Sequence, residues 1–334
     1  MNENLAGMRK LLLRYLNGWQ ARRSRRLERP RCVPSFIVVT PAVVPLAPLA
    51  ARNAASWIEP VFVANGLIRE DIQWLRRFSP ETRILKLTGS LGGNLASLLD
   101  HGSVIDALAW DRYEPFYIQD ADCFILDPTF WDTMTVDPSV NYAVGPFVRE
   151  PTSPCRSFPE TFLLGLNGSL MNALRRKHAI YSSASEVPTS RARRFLAAAG
   201  YPEGRYLETL KAYYDTLQQY WVAAEHFGYQ FRRCAGENDA VHHVGGTSYL
   251  HREANELDHW DYWPLAVHYL YLKLLELPAC EIFEKRFESL RSLHGTVGSL
   301  LIQHPDFATG WRRQKIDVIL SATKANHLYR SPRL

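Results

Sequence analysis

Two short apolar runs separated by a pair of carboxylates form the most distinctive pattern in the chain. Residues 116–118 and 124–126 are aromatic or branched aliphatic, and Asp120 and Asp122 lie between them. Apolar runs of this length, rich in β-branched and aromatic residues, predict a buried central strand. Because alternate residues of a strand point the same way, we expect the two carboxylates at its end to converge.

The chain before this segment alternates between the periods of strands and of helices. The predicted strands are residues 36–39, 61–63 and 83–87. The predicted helices are a short segment after Thr40, residues 70–78 and most of 94–110, where His101-Gly102 is a candidate break. Strands alternating with helices predict an α/β fold with a mostly parallel, Rossmann-like sheet flanked by helices. In such sheets ligands bind beyond the carboxyl ends of the strands. Thr40, Asn65, Asp120 and Asp122 all lie at such ends.

The pattern is looser after Asp127. The predicted elements are a strand and turn leading into a helix over residues 161–177, a loop over 181–190, a helix over 207–227 that Gly228 ends, a strand over 229–233, and an aromatic-rich segment from His251 that then becomes mostly helical. We expect three segments: an arm over residues 1–32, a catalytic domain over 33–250, and an aromatic-rich helical extension over 251–334.

The positive charge of the chain is concentrated in the arm. The net charge is +5, but residues 1–31 alone carry nine arginines and lysines against two glutamates, or +7, which leaves −2 for the remainder. Apolar residues recur at helical spacing at Leu5, Met8, Leu12, Tyr15, Leu16 and Trp19. A basic amphipathic helix predicts binding to an anionic membrane surface through residues 1–31. The alternatives are a helix docked on the protein's own body or in a dimer. Nucleic acid is not expected, since no recognisable nucleic-acid module accompanies the arm.

Cysteine usage and hydropathy predict the compartment. The five cysteines are dispersed and lack metal-binding spacing, which is typical of reduced thiols in the cytosol. The longest apolar stretch, residues 33–51, contains four prolines, so no membrane-spanning helix is expected. A signal peptide is not expected either, because no small-residue cleavage site follows the charged arm. We therefore predict a cytoplasmic protein that associates peripherally with a membrane.

The two carboxylates indicate a divalent cation. Asp120 and Asp122 would repel each other unless a cation lies between them, and their oxygen ligands suit Mg²⁺ or Mn²⁺. A solvated turn is the ordinary explanation of an isolated Asp-x-Asp, but here the pair is embedded in apolar sequence. His243 precedes Gly245 and Gly246, whose backbone amides can approach phosphate closely. The histidine is a candidate third ligand.

Taken in order, these segments resemble the GT-A glycosyltransferases, and among them the inverting family-2-like enzymes. The matching pieces are the strand at 36–39, the strand ending in Asn65, the motif Asp120-Ala121-Asp122, the segment Tyr214-Asp215-Thr216 before a helix, and residues 243–248. The chain departs from the family pattern in two places. Asn65 replaces a common aspartate that reads the nucleotide base, and Tyr214 replaces a common glutamate.

The resemblance implies a nucleotide-sugar donor, with a UDP-sugar favoured, and Mn²⁺ or Mg²⁺ as cofactor. Asp120, Asp122 and His243 would hold the metal, and Asp215 would be the general base. The residues implied to contact the donor are Thr40, Pro41, Asn65, Asp120, Ala121 and Gly245. The acceptor would be a glycan or a lipid-linked molecule in cell-surface glycan or glycolipid synthesis.

Other functions share parts of the pattern. A phosphohydrolase with Asp-x-Asp needs the motif on its first strand, and a sugar nucleotidyltransferase needs an early glycine-rich basic loop, which residues 40–42 do not provide. A retaining GT-A transferase remains an alternative. So does a membrane-recruited, non-catalytic interaction protein on the same scaffold. Glu237 and Asp239 are the reserve candidates for the base.

Overall fold

The computed structural model describes residues 2–89, 98–149, 158–183, 189–200, 216–234, 240–245, 263–283 and 311–329. The protein is a mixed α/β structure in which a seven-stranded sheet lies between helices. The strands are β1 Val33–Val39, β2 Ile58–Asn65, β3 Arg83–Leu87, β4 Phe116–Asp120, β5 Cys123–Ile125, β6 Asn141–Gly145, β7 Val148–Arg149, β8 Phe158–Pro159, β9 Leu163–Leu166, β10 Gln230–Arg233 and β11 Val241–His243.

Helices occupy most of the remaining described chain. The α-helices are α1 Asn2–Ser24, α2 Ala47–Ala50, α3 Arg69–Phe78, α4 His101–Leu108, α5 Gly168–His178, α6 Ser190–Ala198, α7 Gln218–His226, α8 Trp263–Leu275, α9 Trp311–Ala322 and α10 Ala325–Leu328. Short 3₁₀ helices span Arg25–Leu27, Pro41–Leu46, Pro128–Met134 and Pro278–Phe283.

The main sheet has the order β10-β6-β9-β4-β1-β2-β3. Strand β1 is parallel to both β2 and β4, and β2 is parallel to β3. Only β9 runs against its neighbours β4 and β6 within this sheet. The predicted Rossmann-like, mostly parallel sheet flanked by helices is therefore confirmed, with β4 as its central strand.

Alternation along β1 divides the core between the two faces of the sheet. Ile37 and Val39 face one layer, and Phe36 and Val38 face the other. All four side chains are buried, as expected for a strand covered on both faces. The second layer comprises α4, α5, α6 and α7 together with the end of α1.

The C-terminal helices cover the face of the sheet on which Ile37 and Val39 lie. Buried residues of α8 and α9 belong to the same apolar cluster as Ile37 and Phe62 of the sheet. Three hydrogen bonds between described residues join this layer to the N-terminal half. Tyr329 Oη donates to the Pro45 carbonyl at 2.6 Å, Trp74 Nε1 donates to the Ala279 carbonyl at 2.8 Å, and Tyr271 Oη donates to the Ala42 carbonyl. The boundaries predicted at residues 33 and 251 stay predictions.

Helix α1 packs along the edge strand β3. The Asn17 side chain pairs with the backbone of Thr88 through two hydrogen bonds of 2.9 and 2.7 Å. Gly18 lies so close to Trp110 that a β-carbon there would be 2.6 Å from the indole ring. At the other end, Arg83 Nη1 donates to the Ser24 carbonyl at 3.0 Å. One side of the basic helix is therefore docked on the protein's own body.

Two helix boundaries differ from the sequence prediction, and one helix, α6, was not predicted. Helix α4 begins only at His101, after Asp100, whose side chain accepts from the Ser103 amide at 3.0 Å. Helix α7 begins at Gln218 because Leu217 has a left-handed backbone, with φ of 67°. Helix α6 begins where a loop was expected to end, capped by Thr189. Gly228 ends α7 as predicted, with φ of 84°.

Among the described helices, none combines the length and apolarity needed to cross a bilayer. The described cysteines Cys32, Cys123, Cys234 and Cys280 are free thiols.

Asp106 is a buried carboxylate on α4 that makes stability depend on pH. Its Oδ1 accepts from the Ser182 amide at 2.9 Å, while burial raises its pKa from 3.8 to about 6 against the opposing charge of Arg14. Between about pH 4 and 6 only the unfolded chain releases this proton, so the contribution of Asp106 to stability falls as pH rises. The shift corresponds to roughly 3 kcal/mol.

We expect Asp106→Asn to remove this part of the pH dependence, because asparagine retains the acceptor without a charge. Urea unfolding at pH 4 and pH 7 should show a loss of stability about 3 kcal/mol smaller in the variant than in the parent. Asp132→Asn, at an exposed position that accepts from Trp57, is the matched control and should behave as the parent. An Asp106→Asn protein with the parent's pH dependence would show that this carboxylate is ionised normally.

Candidate metal and nucleotide site

The turn between β4 and β5 carries the carboxylate pair. Asp120 is the last residue of β4, and Asp122 directly precedes β5. The buried Gln119 fixes this turn, since its Nε2 donates to the Cys123 carbonyl at 2.8 Å and to the Ala50 carbonyl at 3.1 Å. The Asp120 amide donates to the Phe162 carbonyl at 2.8 Å. The two carboxylates are therefore positioned by backbone that is held on both sides.

Strand β11 brings His243 to the pair. It is antiparallel to β5, so His243 lies opposite Cys123, and the Val244 amide donates to the Asp122 carbonyl at 3.0 Å. His243 Nε2 is 3.4 Å from Asp122 Oδ1. One ligand atom from each of Asp120, Asp122 and His243 lies within 4.8 Å of the other two. The structure thus brings together the three residues predicted to bind metal.

The histidine ring is fixed by aromatic contacts. It stacks on Phe162, with 3.6 Å between ring centroids and 21° between planes. Phe147 lies further out, at 6.3 Å. The His243 side chain is 13% exposed and that of Asp122 is 6% exposed. The imidazole therefore has little freedom to turn away from the carboxylates.

The charges of the cluster favour the binding of a proton or a cation. Burial, followed by repulsion from Asp122, raises the pKa of Asp120 to about 8. Burial works to lower the pKa of His243, but the hydrogen bond to Asp122 and the charges of Asp122 and Asp120 outweigh it, so this pKa is raised. The neighbouring His242 behaves differently, because burial lowers its pKa to about 3. In the metal-free cluster, bound protons supply the positive charge that a cation would supply.

These donors fit a divalent ion. Carboxylate oxygens suit Mg²⁺ and Mn²⁺, and the imidazole favours Mn²⁺, because Mg²⁺ prefers oxygen ligands alone. Asp122 is buried and Asp120 is half-buried, and their charges repel each other. A bound cation would supply the opposite charge that buried carboxylates need. Asp120, Asp122 and His243 are therefore a chemically suitable ligand set.

We expect metal affinity to rise with pH. Ligation requires a neutral His243 and an ionised Asp120, and both pKa values are raised in the metal-free protein, so binding at pH 7 must release protons. Titration calorimetry with Mn²⁺ in buffers of different ionisation enthalpy should detect this release, and affinity should increase from pH 6 to pH 8.5. His243→Gln should release fewer protons. Affinity that is independent of pH would mean that Mn²⁺ binds to other groups.

The remaining predicted donor contacts lie along the same edge of the sheet. Thr40 and Pro41 follow β1 and begin its 3₁₀ helix. Asn65 ends β2, but it is buried, and its amide makes two hydrogen bonds of 2.9 Å with the backbone of Leu99. Ala121 is buried in the turn, and Gly245 has φ of 69°. The geometry makes Asn65 an anchor of the segment before α4, and the nucleotide contacts of all five stay predictions.

Three residues of the site were not anticipated from the sequence. His101 Nδ1 lies 3.6 Å from Asp120 Oδ1, Phe162 stacks on His243, and the charge of Glu160 acts on both Asp120 and His243. His101 begins a helix and residues 160–162 precede β9, so neither lies at the carboxyl end of a parallel strand. Only the fold brings them to the carboxylates.

The predicted base Asp215 lies outside the described residues, as do Tyr214, residues 246–248, Glu237 and Asp239. Thr216 is described and lies in a turn directly before α7. The assignment of Asp215 therefore stays a prediction.

No family model and no curated protein matches the chain. Among solved structures, the crystal structure of glycosyltransferase GlyE from Streptococcus pneumoniae TIGR4 is 10% identical, with a TM-score of 0.37, and covers 62% of this chain and 46% of that one. The apo form of GlyE is also 10% identical, with a TM-score of 0.29, and covers 44% of this chain and 39% of that one. The chain spans less than half the length of these structures.

Proposed function

We propose that this protein is a metal-dependent glycosyltransferase that moves a sugar from a nucleotide-diphosphate sugar, with a UDP-sugar favoured, to a hydroxyl of a glycan or lipid-linked acceptor. The observation that carries the proposal is the cluster of Asp120, Asp122 and His243 at the carboxyl edge of a mostly parallel sheet. Sheets of this type bind ligands at that edge. An acidic pair with one histidine suits a metal-bound diphosphate there.

Asp120, Asp122 and His243 would hold Mn²⁺ or Mg²⁺ together with the diphosphate of the donor. When bound, the ion stabilises the negative charge that builds up on the diphosphate leaving group. The stacking of His243 on Phe162 and the backbone contacts of the β4–β5 turn fix these ligands before the donor arrives. Such preorganisation avoids a reorganisation cost during the reaction.

The donor itself would lie along the ends of β1 and β2. Gly245 follows strand β11 and has a left-handed backbone and no side chain, so a phosphate group can approach its amide. Thr40 and Pro41 would line the nucleoside side, next to Ala121. In this proposal Asn65 contributes by fixing Leu99 rather than by reading the base.

Attack by the acceptor hydroxyl requires a base on the acceptor side. Asp215 is proposed to accept that proton, and a single displacement would invert the anomeric centre. Glu160 is the described carboxylate whose charge already reaches Asp120 and His243, which makes it the alternative. If Asp215 is the base, substitution of Asp215 should impair transfer. If Glu160 is the base, substitution of Glu160 should impair it instead.

A screen of nucleotide sugars tests the proposal. Purified protein is incubated with each sugar nucleotide and Mn²⁺ or EDTA, and release of the nucleoside diphosphate is measured. The proposal expects release from at least one donor, with Mn²⁺ and not with EDTA. Thermal stabilisation by Mn²⁺ and UDP without turnover of any donor would favour the non-catalytic scaffold, and the absence of both responses would contradict nucleotide-sugar binding.

A further inference from the structure

Helix α1 has a second side that faces solvent with large apolar groups. Leu11 is 57% exposed, Leu12 53%, Tyr15 63% and Trp19 52%. A lone exposed leucine needs no explanation, but two aromatic and two aliphatic side chains on one short stretch form a patch. We call Leu11, Leu12, Tyr15 and Trp19, together with Arg22 and Arg23, the outward face of α1.

The outward face is distinct from the docked side of the same helix. At 3.6 residues per turn its six residues fall within an arc of about 120°. Asn17, Gly18 and Ala21 are buried on the other side, where they pack against β3 and α4. The packing that holds α1 on the body therefore leaves Leu11, Leu12 and Trp19 facing outward. Tyr15 touches the body at its inner edge, with 5.3 Å between its ring centroid and that of Trp110, and still leaves most of its side chain exposed.

The charges that α1 itself carries beside this patch are positive. Arg22, Arg23 and Arg26 are exposed, and the Arg23 guanidinium lies 5.5 Å above the ring of Trp19. The Arg22 side chain is 67% exposed although it is 3.6 Å from Asp111. Residues 11–31 contain one acidic side chain, Glu28, which pairs with Arg112 and Arg83 of the body. The outward face thus offers apolar groups bordered by positive charge.

We propose that the outward face of α1 binds the surface of an anionic lipid bilayer. Tryptophan and tyrosine favour the boundary between acyl chains and headgroups, and arginines favour anionic headgroups. A helix that lies in this boundary needs one apolar side with basic residues beside it, as found here. A protein partner would be expected to face acidic as well as basic groups, and the outward face has only basic ones.

A bilayer bound to α1 would lie near the edge of the sheet that carries Asp120, Asp122 and His243. Asn17 contacts Thr88, beyond the carboxyl end of β3, and Ser24 contacts Arg83 at the amino end of β3. Helix α1 is therefore antiparallel to β3. The turns before Asn17 therefore extend past the carboxyl edge, with Leu11 about 9 Å further along the axis. Strand β4 is three strands away from β3, or roughly 14 Å.

Sedimentation of the full chain with vesicles tests the proposal. Vesicles of phosphatidylcholine with 30% phosphatidylserine are compared with phosphatidylcholine alone, at ~0.05 M and ~0.5 M salt. We expect binding only to the anionic vesicles at low salt. Arg22→Gln with Arg23→Gln should weaken it roughly 30-fold, at about fivefold for each arginine. Leu12→Ser with Trp19→Ser should weaken it at least about 10-fold.

Matched controls change equally exposed residues elsewhere. Ile282→Ser with Val318→Ser controls for the apolar pair, and Arg191→Gln with Arg194→Gln controls for the basic pair. Both controls should sediment as the parent does.

Three outcomes would overturn the proposal: no sedimentation of the parent, equal losses in the controls, or a dimer in light scattering that dissociates in the Trp19 variant. Vesicle binding needs neither metal nor donor, so its failure leaves the proposed transferase function standing, and the converse also holds.

Discussion

Asp122→Asn is expected to lower the affinity for Mn²⁺ with UDP at least about 100-fold, more than the loss of a residue that only supports a ligand. The amide removes the most buried carboxylate of the cluster and the partner of His243, while the backbone contact from Val244 is unchanged. Titration calorimetry with Mn²⁺ in the presence of UDP measures the loss.

The same substitution should leave the metal-free fold intact. It removes the ion pair of Asp122 with His243, but it also removes the repulsion that helps to raise the pKa of Asp120, and the two effects oppose each other. A thermal melt in EDTA with a midpoint close to the parent's therefore separates loss of the ligand site from loss of the fold. Asp127→Asn is the matched control, because Asp127 is exposed and its capping bond to Thr129 can be kept by asparagine. Parent-like Mn²⁺ binding by Asp122→Asn would move the metal site elsewhere.

Asp215→Asn is expected to reduce sugar transfer by about 10²–10⁴-fold, the usual contribution of a positioned general base. Asparagine keeps the shape of the side chain but does not accept the proton of the acceptor hydroxyl. Binding of Mn²⁺ and UDP should survive, because those contacts are assigned to Asp120, Asp122 and His243. Steady-state transfer and calorimetric donor binding, measured on the same preparation, distinguish the two effects.

Glu160→Gln is the comparison that can contradict this assignment. If the glutamine variant loses transfer while Asp215→Asn retains it, Glu160 is the base. The anomeric configuration of the product, measured by NMR, tests the mechanism independently, since a single displacement converts an α-linked donor into a β-linked product. A product of retained configuration would contradict the inverting mechanism whichever carboxylate is essential.

The local pattern of the chain was sufficient to predict the parallel part of the sheet. Strand β3 was predicted at its observed residues, and β1 and β2 extend beyond the predicted runs at one or both ends. Both are buried on two faces, so their apolar runs are continuous and easily recognised. The same logic identified Asp120 and Asp122, because the end of a parallel strand is a position that sequence can locate.

Long-range contacts were beyond such reasoning. The segment at Leu163–Leu166 was recognised as a strand, but nothing in it indicates that it runs antiparallel between β4 and β6. That insertion is what places Phe162 beside His243. His101 likewise reaches Asp120 only because α4 starts later than its sequence suggests, at a helix terminus where a cap decides the boundary.

Helix α1 has one side that the sequence pattern predicted and one side that it did not. Its apolar spacing predicted the exposed residues Leu12, Tyr15 and Trp19, which are the ones that hydropathy detects. The docked side depends on Asn17 and Gly18, neither of which has a large apolar side chain. One is buried through paired hydrogen bonds to a strand end and the other through close approach to Trp110, and neither interaction has a periodic signature.

The most direct test of the central claim is a crystal structure of the protein with Mn²⁺ and UDP, in which anomalous scattering locates the manganese. We expect one strong anomalous peak bounded by Asp120, Asp122 and His243, within roughly 2.5 Å of a carboxylate oxygen and of a diphosphate oxygen. A manganese peak away from these three side chains, or a diphosphate bound at the opposite edge of the sheet, would contradict it.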